Sequence, residues 1–413
     1  MKKKKILLIA SGIMLGLVAV ALLLLLSNSP VNPISNFGKN VVFDSVGFSS
    51  QIESGALGSV SKIADNQFSL TLVHSPLGAW HEAMLDFMIK GYEGKEVTFV
   101  IQKVTGVGEF EKAGKQMVYT CDGKNWKRMI DGVYNPSTST FTFKHTFECN
   151  VAEIATYYPH KLSELDAIMA KYKTNNNFKA YSIGKSIEGR DIYIIEVTNF
   201  KAAESQKTGV CMVSRQHPAE TGGSLLIEGM INYLLEPANA DLLNKYHYIM
   251  VPMSNPDGIA DGHTRTNSQE AGCTGTNNFC DMNRMWTSNS NPDVNLIRTK
   301  FNAIEVQYGC DFFMDLHSLA GGEDQSQIMG GGLNGNAFVT ALKAKSNWGK
   351  SNGIYPSVSD GSCPTGGTAK GYGCTVAPAS YTFELGFRSN LLTKEIQIDH
   401  GKYIVQSIAE VYK

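Results

Sequence analysis

The sequence has almost no net charge, because 37 Lys and Arg residues stand against 38 Asp and Glu residues, for a formal charge of -1. A nucleic-acid partner would require a basic surface, so this composition argues against one. The sequence also lacks an internal repeat, and beyond its N-terminus it has no low-complexity tract. With 413 residues and ordinary apolar and charged fractions of 43% and 18%, the chain is long enough for two globular domains.

Charged residues are missing from the stretch Ile6 to Leu26, which follows the lysine cluster Lys2 to Lys5. The stretch is about long enough to cross a bilayer as a helix. No small-x-small cleavage site follows it in Ser27 to Pro30, and no cysteine follows that would suggest a lipoprotein. We predict an uncleaved signal anchor over residues 1–28, with the lysines in the cytoplasm and the rest of the chain outside it. A cleaved signal peptide is the alternative, and it predicts the same compartment.

Eight cysteines fit an oxidising compartment. Two of them, Cys211 and Cys310, lie inside apolar runs and are predicted to be buried thiols. The other six form three pairs that are close in sequence, although spacing alone does not fix the connectivity: Cys121 with Cys149, Cys273 with Cys280, and Cys363 with Cys374.

The first part of the folded chain has the pattern of an all-β domain. Residues 29–40 read as a polar linker. From 41 to 150, short strand-like runs such as Phe68 to Val73 and Val97 to Ile101 alternate with turn signals. We predict an antiparallel β-sandwich domain here. No catalytic constellation is found in it.

Residues 151–413 alternate between strand-like and helix-like runs, which predicts an α/β/α domain with a mixed sheet. Open sheets of this class bind ligands beyond the carboxyl ends of their strands. The predicted strands and helices include Val210 to Val213, Tyr248 to Pro252 and Phe312 to Leu316, and Leu162 to Tyr172, Ser224 to Leu235 and Asn295 to Tyr308.

The residues that carry chemistry follow these predicted strands. His217 and Glu220 lie at a strand-to-helix corner, His317 follows a second strand, and Glu384 follows a third. Two imidazoles and one carboxylate are a known catalytic zinc set that leaves the fourth position for water. A separate carboxylate can act as base on that water, so the sequence predicts a zinc hydrolase.

Two further polar segments have both a structural and a functional interpretation. The turn at 255–258 (N-P-D-G) and the loop segment 281–284 (D-M-N-R) can be simple solvated turns. In the functional interpretation, Asn283 and Arg284 form a clamp for a carboxylate, since a guanidinium fork binds that group bidentately. Arg265 could contact a polarised carbonyl oxygen. The segment 186–190 is predicted to be a hairpin turn.

The order of five motifs, H-P-A-E, N-P-D-G, D-M-N-R, D-L-H-S and T-F-E-L, resembles that of the zinc metallocarboxypeptidases. The H-P-A-E form and the preceding β-domain resemble most the cytosolic, deglutamylase-like branch. The resemblance implies a mixed-sheet α/β/α carboxypeptidase fold. It also implies one zinc ion per chain, held by His217, Glu220 and His317.

The same resemblance implies roles for the remaining residues. Glu384 would be the general base and then the proton donor to the leaving amine. Asn283 and Arg284 would hold the substrate's terminal carboxylate, and Arg265 would stabilise the oxyanion. Lys370, in the loop that begins at Gly366, would pair with an acidic side chain at the substrate's C-terminus, although a solvated loop lysine is the alternative interpretation.

Three departures from the family pattern stand out. Ala219 replaces the Arg that the digestive branch carries before the zinc Glu, as a small residue also does in the cytosolic branch. The tyrosine that closes over substrate has no clear match, with Tyr355 and Tyr372 as candidates. The cytosolic branch is cytoplasmic, whereas this chain has a predicted membrane anchor.

The expected function is a membrane-anchored, extracytoplasmic zinc carboxypeptidase that trims the C-terminal residue of peptides or proteins. Two alternatives stay open. One is a zinc amidase or deacylase acting on acylated amino acids or cell-wall peptides. The other is a cell-surface binding protein with a degenerate site, which the complete His, Glu, His and Glu set disfavours. The sequence makes no prediction of oligomeric state.

Overall fold

The computed structural model describes residues 41–43, 45–73, 83–266, 281–318, 326–345, 354–361, 363, 365–386 and 393–413. The predicted anchor and linker, residues 1–40, lie outside the described residues. Within those residues, no helix is long and apolar enough to cross a membrane.

The N-terminal part consists of two β-sheets. The six-stranded sheet has the order β1 (Val41–Phe43), β2 (Val46–Ser49), β5 (Asp86–Lys90), β11 (Val151–Ala155), β7 (Val118–Thr120) and β8 (Trp126–Arg128). The five-stranded sheet has the order β3 (Ser59–Ala64), β4 (Gln67–Thr71), β6 (Glu96–Gln102), β10 (Thr140–Thr146) and β9 (Val133–Asn135). A single-turn helix, α1 (Gly108–Glu111), follows β6.

The two sheets share one aromatic core. Phe48 of β2 meets Phe68 of β4 with ring centroids 4.8 Å apart, and Phe87 of β5 meets Phe99 of β6 at 6.0 Å. In β6 every second residue is buried, as expected for a strand with one face on a core. The predicted sandwich is therefore present, as a β-rich domain before the α/β domain.

One strand pair departs from the predicted antiparallel arrangement. Strands β4 and β6 pair in parallel, whereas the other strand pairs described in the two sheets are antiparallel. The reason is topological. The chain crosses to β5 in the opposite sheet between them and so returns in the same direction.

Strand β11 lies after the boundary predicted at residue 150, yet it pairs with β5 and β7 in the six-stranded sheet. We therefore propose that the boundary between the domains falls after β11. The disulfide between Cys121 and Cys149, one of the three pairs that are close in sequence, lies within this sandwich.

The second domain is built on an eight-stranded mixed sheet. Its order is β12 (Phe178–Lys185), β13 (Asp191–Val197), β15 (Tyr246–Val251), β14 (Thr208–Ser214), β16 (Phe312–Ser318), β19 (Ala379–Leu385), β17 (Ser326–Gly332) and β18 (Ile354–Asp360). Strands β15, β14, β16 and β19 run parallel to one another, so their carboxyl ends share one edge.

Nine described α-helices surround or connect these strands. They are α2 (Leu162–Tyr172), α3 (Thr221–Leu234), α4 (Leu242–Lys245), α5 (Pro256–Ala260), α6 (Pro292–Tyr308), α7 (Gly335–Lys345), α8 (Ala369–Val376), α9 (Lys394–Asp399) and α10 (Gly401–Val411). The predicted helices 162–172, 224–235 and 295–308 are thus present, and the second and third each begin three residues earlier than predicted.

The sheet is buried on both faces. In β16, Phe312, Met314 and Leu316 belong to one core with α3 and α10, whereas Phe313 belongs to a second core with α6 and α8. This alternation gives the predicted α/β/α layering. The pair Cys363 and Cys374 is bonded, and Cys211 and Cys310 are buried free thiols, as predicted. Cys273 and Cys280 lie outside the described residues.

Candidate metal centre

The H-P-A-E segment forms the corner between β14 and α3. The corner begins at Arg215, whose φ of 58° lies in the left-handed region that non-glycine residues adopt at some energetic cost. The buried Arg215 side chain stabilises the turn, because its Nε donates to the Pro218 carbonyl at 2.9 Å. A Cβ on Gly223 would lie 2.5 Å from the Leu316 carbonyl oxygen. Glycine therefore lets the start of α3 approach β16, which brings Glu220 beside His317.

His217, Glu220 and His317 converge at one point. One ligand atom of each lies within 4.8 Å of the others, and all three side chains are buried. His217 Nδ1 is 2.7 Å from Glu220 Oε1, and His317 Nδ1 is 2.7 Å from Glu220 Oε2. The two imidazoles thus present the same nitrogen, Nδ1, to the two oxygens of one carboxylate.

A carboxylate lies behind each imidazole. His217 Nε2 is 3.1 Å from Asp281 Oδ1, and His317 Nε2 is 2.9 Å from Asp315 Oδ2. Metal-binding histidines commonly donate their second ring N–H to a carboxylate, which fixes the tautomer and the ring orientation. This arrangement leaves both Nδ1 atoms as the ligand atoms.

The electrostatics of the cluster favour bound positive charge. Burial lowers the pKa of His217 and His317, but the neighbouring carboxylates outweigh it and the net shift of both pKa values is upward. Burial raises the pKa of Glu220, but the two imidazoles outweigh it and hold that pKa well below its usual value. A site that stabilises cationic imidazoles so strongly also suits a divalent cation once they are neutral.

Glu384 lies beside this cluster through strand register. In the parallel pair β16 and β19, His317 is directly opposite Glu384. Glu384 is partly buried, and its Oε2 has no hydrogen-bond partner among the described residues. Burial raises the pKa of Glu384 to about 7, an effect that His317 opposes and Glu220 reinforces. A carboxylate with this pKa is suited to exchange protons near neutral pH.

These residues fit a zinc ion. The donor set is two imidazoles and one carboxylate, the ligand atoms already face one another, and each imidazole has its second partner. The adjacent Glu384 Oε2, for which the described part of the chain offers no hydrogen-bond partner, is a separate group available for proton transfer.

The predicted carboxylate clamp lies next to the cluster. Asn283 Nδ2 is 3.1 Å from His317 Nε2, and Asn283 Oδ1 accepts a hydrogen bond from the Ala369 amide at 2.9 Å. Arg284 is exposed, and its guanidinium donates to the Asn283 carbonyl at 3.0 Å. The turn thus holds Asn283 inside the site and leaves Arg284 at its solvent side.

The loop around Lys370 packs directly on this turn. The Trp286 amide donates to the Gly367 carbonyl at 3.0 Å, and the partly buried Lys370 lies in the first turn of α8. The structure therefore brings the predicted specificity loop and the predicted clamp together.

Arg265 also lies at the cluster. Its Nε donates to Asp281 Oδ2 at 2.8 Å, and its NH1 lies 3.5 Å from His217 Nδ1. Arg265 and His217 therefore share the Asp281 carboxylate. The placement is consistent with the predicted contact to a developing oxyanion.

A buried hydrogen-bonded chain behind His317 was not predicted. Trp286 Nε1 donates to Gln216 Oε1 at 2.6 Å, and Gln216 Nε2 donates to Asp315 Oδ1 at 2.7 Å. Asp315 could have been found from strand alternation, because it is two residues before His317 and so lies on the same face. Nothing in the local pattern indicates the Gln216 and Trp286 pairing.

The remaining segments singled out in the sequence are the N-P-D-G turn, the segment 186–190 and the two candidate tyrosines. In the N-P-D-G turn, Asn255 caps α5 by accepting from the Gly258 amide at 2.9 Å, which is the structural interpretation. Segment 186–190 is the predicted hairpin turn between β12 and β13. Tyr372 is buried, with its hydroxyl 2.6 Å from Asn302 Oδ1 of α6, so it belongs to the core. Tyr355 lies in β18.

Sequence comparisons agree with this geometry. Residues 162–321 match the family described as zinc carboxypeptidase, and residues 48–157 match the one described as cytosolic carboxypeptidase N-terminal domain. This chain carries a zinc carboxypeptidase domain. The segment in front of it, residues 48–157, matches the cytosolic type of N-terminal domain. The family implies zinc, which the cluster fits.

Relatives of known name support the same family. Cytosolic carboxypeptidase 3 of Mus musculus is 24% identical over 69% of this chain, and cytosolic carboxypeptidase 2 of Danio rerio is 23% identical over 69%. The alignments cover only 30% and 43% of those relatives. The chain therefore spans less than half of their length.

Solved structures show the fold. A metallo-carboxypeptidase from Burkholderia cenocepacia has a TM-score of 0.74 at 20% identity, covering 89% of this chain and 99% of that one. A metallo-carboxypeptidase from Pseudomonas aeruginosa has a TM-score of 0.71 at 20% identity, covering 88% and 98%. The fold of this chain is thus shared with these bacterial proteins over nearly the whole of their length.

The predicted extracytoplasmic location is wrong by these comparisons. The relatives are named cytosolic carboxypeptidases, and no described helix is long and apolar enough to cross a membrane. The prediction depended on the length and apolar character of one segment, Ile6 to Leu26. That segment lies outside the described residues, so no described element supports an anchor.

Proposed function

We propose that this protein is a zinc-dependent carboxypeptidase that hydrolyses the C-terminal peptide bond of peptides or proteins. The observation that supports this most is the convergence of His217, Glu220 and His317 with Glu384 opposite His317 in the sheet. The Asn283 and Arg284 turn beside them adds a cationic group suited to a free carboxylate.

Each residue has a distinct task in this proposal. His217, Glu220 and His317 hold zinc, which supplies a Lewis acid that polarises a carbonyl and acidifies water. Glu384 accepts a proton from the attacking water at Oε2 and passes it to the leaving amine nitrogen. Its pKa of about 7 suits both transfers. Arg265 donates to the oxygen on which negative charge develops.

Recognition of a free C-terminus is assigned to Arg284 with Asn283. A guanidinium binds a carboxylate bidentately, and an amidated C-terminus offers no matching charge. The enzyme would then release single residues from the end of a chain and leave internal bonds intact.

The direct test compares peptides that differ only at the terminus. The purified zinc-loaded protein is incubated with a free peptide, its C-terminal amide and an N-acyl amino acid, and the released amino acid is quantified. We expect release from the free peptide and little from the amide. Equal release from both peptides would contradict the clamp, and cleavage confined to the N-acyl amino acid would favour the deacylase alternative.

For specificity, we propose a preference for C-terminal Glu or Asp. The support is the position of Lys370 in the first turn of α8, in the loop that packs on the Arg284 turn. A partly desolvated lysine discriminates strongly, since the wrong side chain leaves the charge unpaired. Release rates for peptides ending in Glu, Leu or Lys test it, and Lys370→Glu should weaken or reverse the preference. A wild-type protein that releases Leu or Lys faster than Glu would contradict it.

A further inference from the structure

The corner that carries the zinc ligands packs on the β-sandwich domain. Ala219, which is 1% exposed, forms a small apolar cluster with Ala56 and Met84 of the sandwich, and Tyr157 packs against that cluster. A side chain as large as arginine at 219 would have no room beside Ala56 and Met84. The small residue in H-P-A-E is thus explained by a domain contact.

The segment that leads to Arg265 is attached to the same face of the sandwich. The Ser54 amide donates to the Ala260 carbonyl at 3.1 Å. A Cβ on Gly262, whose φ is 68°, would lie 2.5 Å from the Gly55 carbonyl oxygen. The backbones of the two domains therefore approach as closely as glycine allows.

Thr264 connects the β-sandwich domain, the corner that carries the zinc ligands, and Arg265. Its Oγ1 accepts a hydrogen bond from the Met84 amide of the sandwich at 2.9 Å. Its carbonyl accepts from the amide of Ala219, the residue between the zinc ligands, at 3.1 Å. Its chain neighbour is Arg265, which is bonded to Asp281 and lies near His217.

We propose that Thr264 is a positioning residue through which the β-sandwich domain holds Arg265 and the zinc-ligand corner in their active arrangement. The inference rests on the proposed function, because the task of Arg265 is part of it. In this arrangement the sandwich is a component of the active site's support, and Thr264 acts through its neighbours without touching substrate.

The test uses the full-length zinc-loaded protein with Thr264→Val and Thr264→Ser. Valine keeps the shape but removes the acceptor for the Met84 amide, whereas serine retains it. We expect Thr264→Val to lower kcat by roughly tenfold to a hundredfold with KM and zinc content little changed, the scale of a small misplacement of catalytic groups. Thr264→Ser should restore kcat to within about twofold, since the acceptor oxygen is retained.

A matched control separates positioning from stability. Thr198 is buried, and its Oγ1 donates to the Leu243 and Tyr246 carbonyls at the opposite edge of the sheet. Thr198→Val should lower the melting temperature without changing kcat. If Thr264→Val behaves in the same way, with kcat preserved, Thr264 is only structural and the inference is overturned.

Amide hydrogen exchange gives a readout that needs no activity. Thr264→Val should accelerate exchange at the Met84 amide, because its acceptor is removed, and at the Ala219 amide, because its acceptor carbonyl is held less firmly, whereas Thr198→Val should do neither. Unchanged exchange at both amides would overturn the inference. A wild-type protein that releases no C-terminal residues would instead contradict the proposed function, while the exchange result would still decide whether the sandwich braces the corner.

Discussion

The eight-stranded sheet contains a buried histidine between two carboxylates at each of two edges, the edge where its parallel strands begin and the edge where they end. Where β15 begins, His247 Nδ1 lies 3.0 Å from Glu204 Oε2, and its Nε2 lies 3.1 Å from Glu196 Oε2. Where β14 ends, at the opposite edge, His217 has almost the same surroundings, with Glu220 at 2.7 Å and Asp281 at 3.1 Å. The immediate neighbourhood of the imidazole does not distinguish the two.

The two sites differ in the partners of the remaining carboxylate oxygens. At the first edge their other oxygens accept from donors, Tyr181 for Glu196 and Lys207 Nζ, at 2.7 Å, for Glu204. At the second edge the other oxygen of Glu220 faces a second imidazole, His317, and Glu384 adds an oxygen without a described partner. In the first cluster each of the four carboxylate oxygens therefore has a described partner. The second is arranged to receive a cation, which shows that convergence of ligand atoms matters more than a buried histidine.

The largest expected effect comes from removing one imidazole at each edge. His317→Ala should lose zinc and activity together, because three protein ligands are needed to complete the catalytic set. His247→Ala should unfold more readily, since it leaves the buried Glu196 carboxylate without one of its two described partners. Below its unfolding temperature it should keep zinc and kcat. Elemental analysis and peptide assays of both variants check this, and equimolar zinc in His317→Ala would contradict the ligand assignment.

The second largest effect is expected from replacing one glutamate at each edge. Glu384→Gln should retain zinc but lower kcat on the order of a hundredfold or more, the scale of a positioned acid–base group. Glu204→Gln, at the other edge, should leave kcat unaltered. A Glu384→Gln variant with wild-type kcat would remove Glu384 from the mechanism.

The sequence predicted this comparison only in part. Strand-like runs before His317 and Glu384 placed both residues at one sheet edge, although the structure puts both inside the strands rather than past their ends. His217 and Glu220 were found because the corner between β14 and α3 is local in sequence.

Contacts between distant segments were not predictable. The contact of Asp281 with His217 joins residues 64 apart in sequence, and the hydrogen bond from Trp286 to Gln216 joins residues 70 apart. The packing of Ala219 on the sandwich joins segments more than a hundred residues apart. No periodicity or spacing encodes such pairings. The parallel β4 and β6 pair was missed for the same reason, since strand direction depends on the route of the chain between sheets.

The third prediction concerns pH. Burial raises the pKa of Glu384 from 4.5 to about 7, so the folded metal-free protein holds a proton that the unfolded chain releases. Its free energy of unfolding should therefore fall as pH rises from about 4.5 to 7, by at most about 3 kcal/mol. The raised pKa values of His217 and His317 act in the same direction at higher pH, because the stability from their protonated forms is lost as pH rises through those values.

Zinc should reverse this trend, since metal binding requires deprotonated ligands. Thermal unfolding of the metal-free and zinc-loaded protein across pH 4.5 to 8 measures both slopes. In metal-free Glu384→Gln the decline between pH 4.5 and 7 should flatten. An unchanged slope in that variant would show that Glu384 does not titrate in this window.

The smallest effect concerns the clamp proposed at the carboxyl edge. Arg284→Ala should raise KM for free peptides by about 10-fold to 150-fold, corresponding to roughly 1.5–3 kcal/mol for a charged hydrogen bond. It should also abolish discrimination against amidated peptides. Arg128→Ala, in the sandwich, is the control and should change neither. If Arg284→Ala prefers free C-termini by the wild-type ratio, the clamp lies elsewhere.

The central claim is that one sheet edge holds a metal and the other does not. A crystal of the protein grown with zinc, measured on both sides of the zinc absorption edge, tests it directly. The account predicts one anomalous peak at about 2.0–2.2 Å from His217 Nδ1, His317 Nδ1 and a Glu220 oxygen, with none at His247. A peak at the His247 cluster, or none between His217, Glu220 and His317, would contradict it.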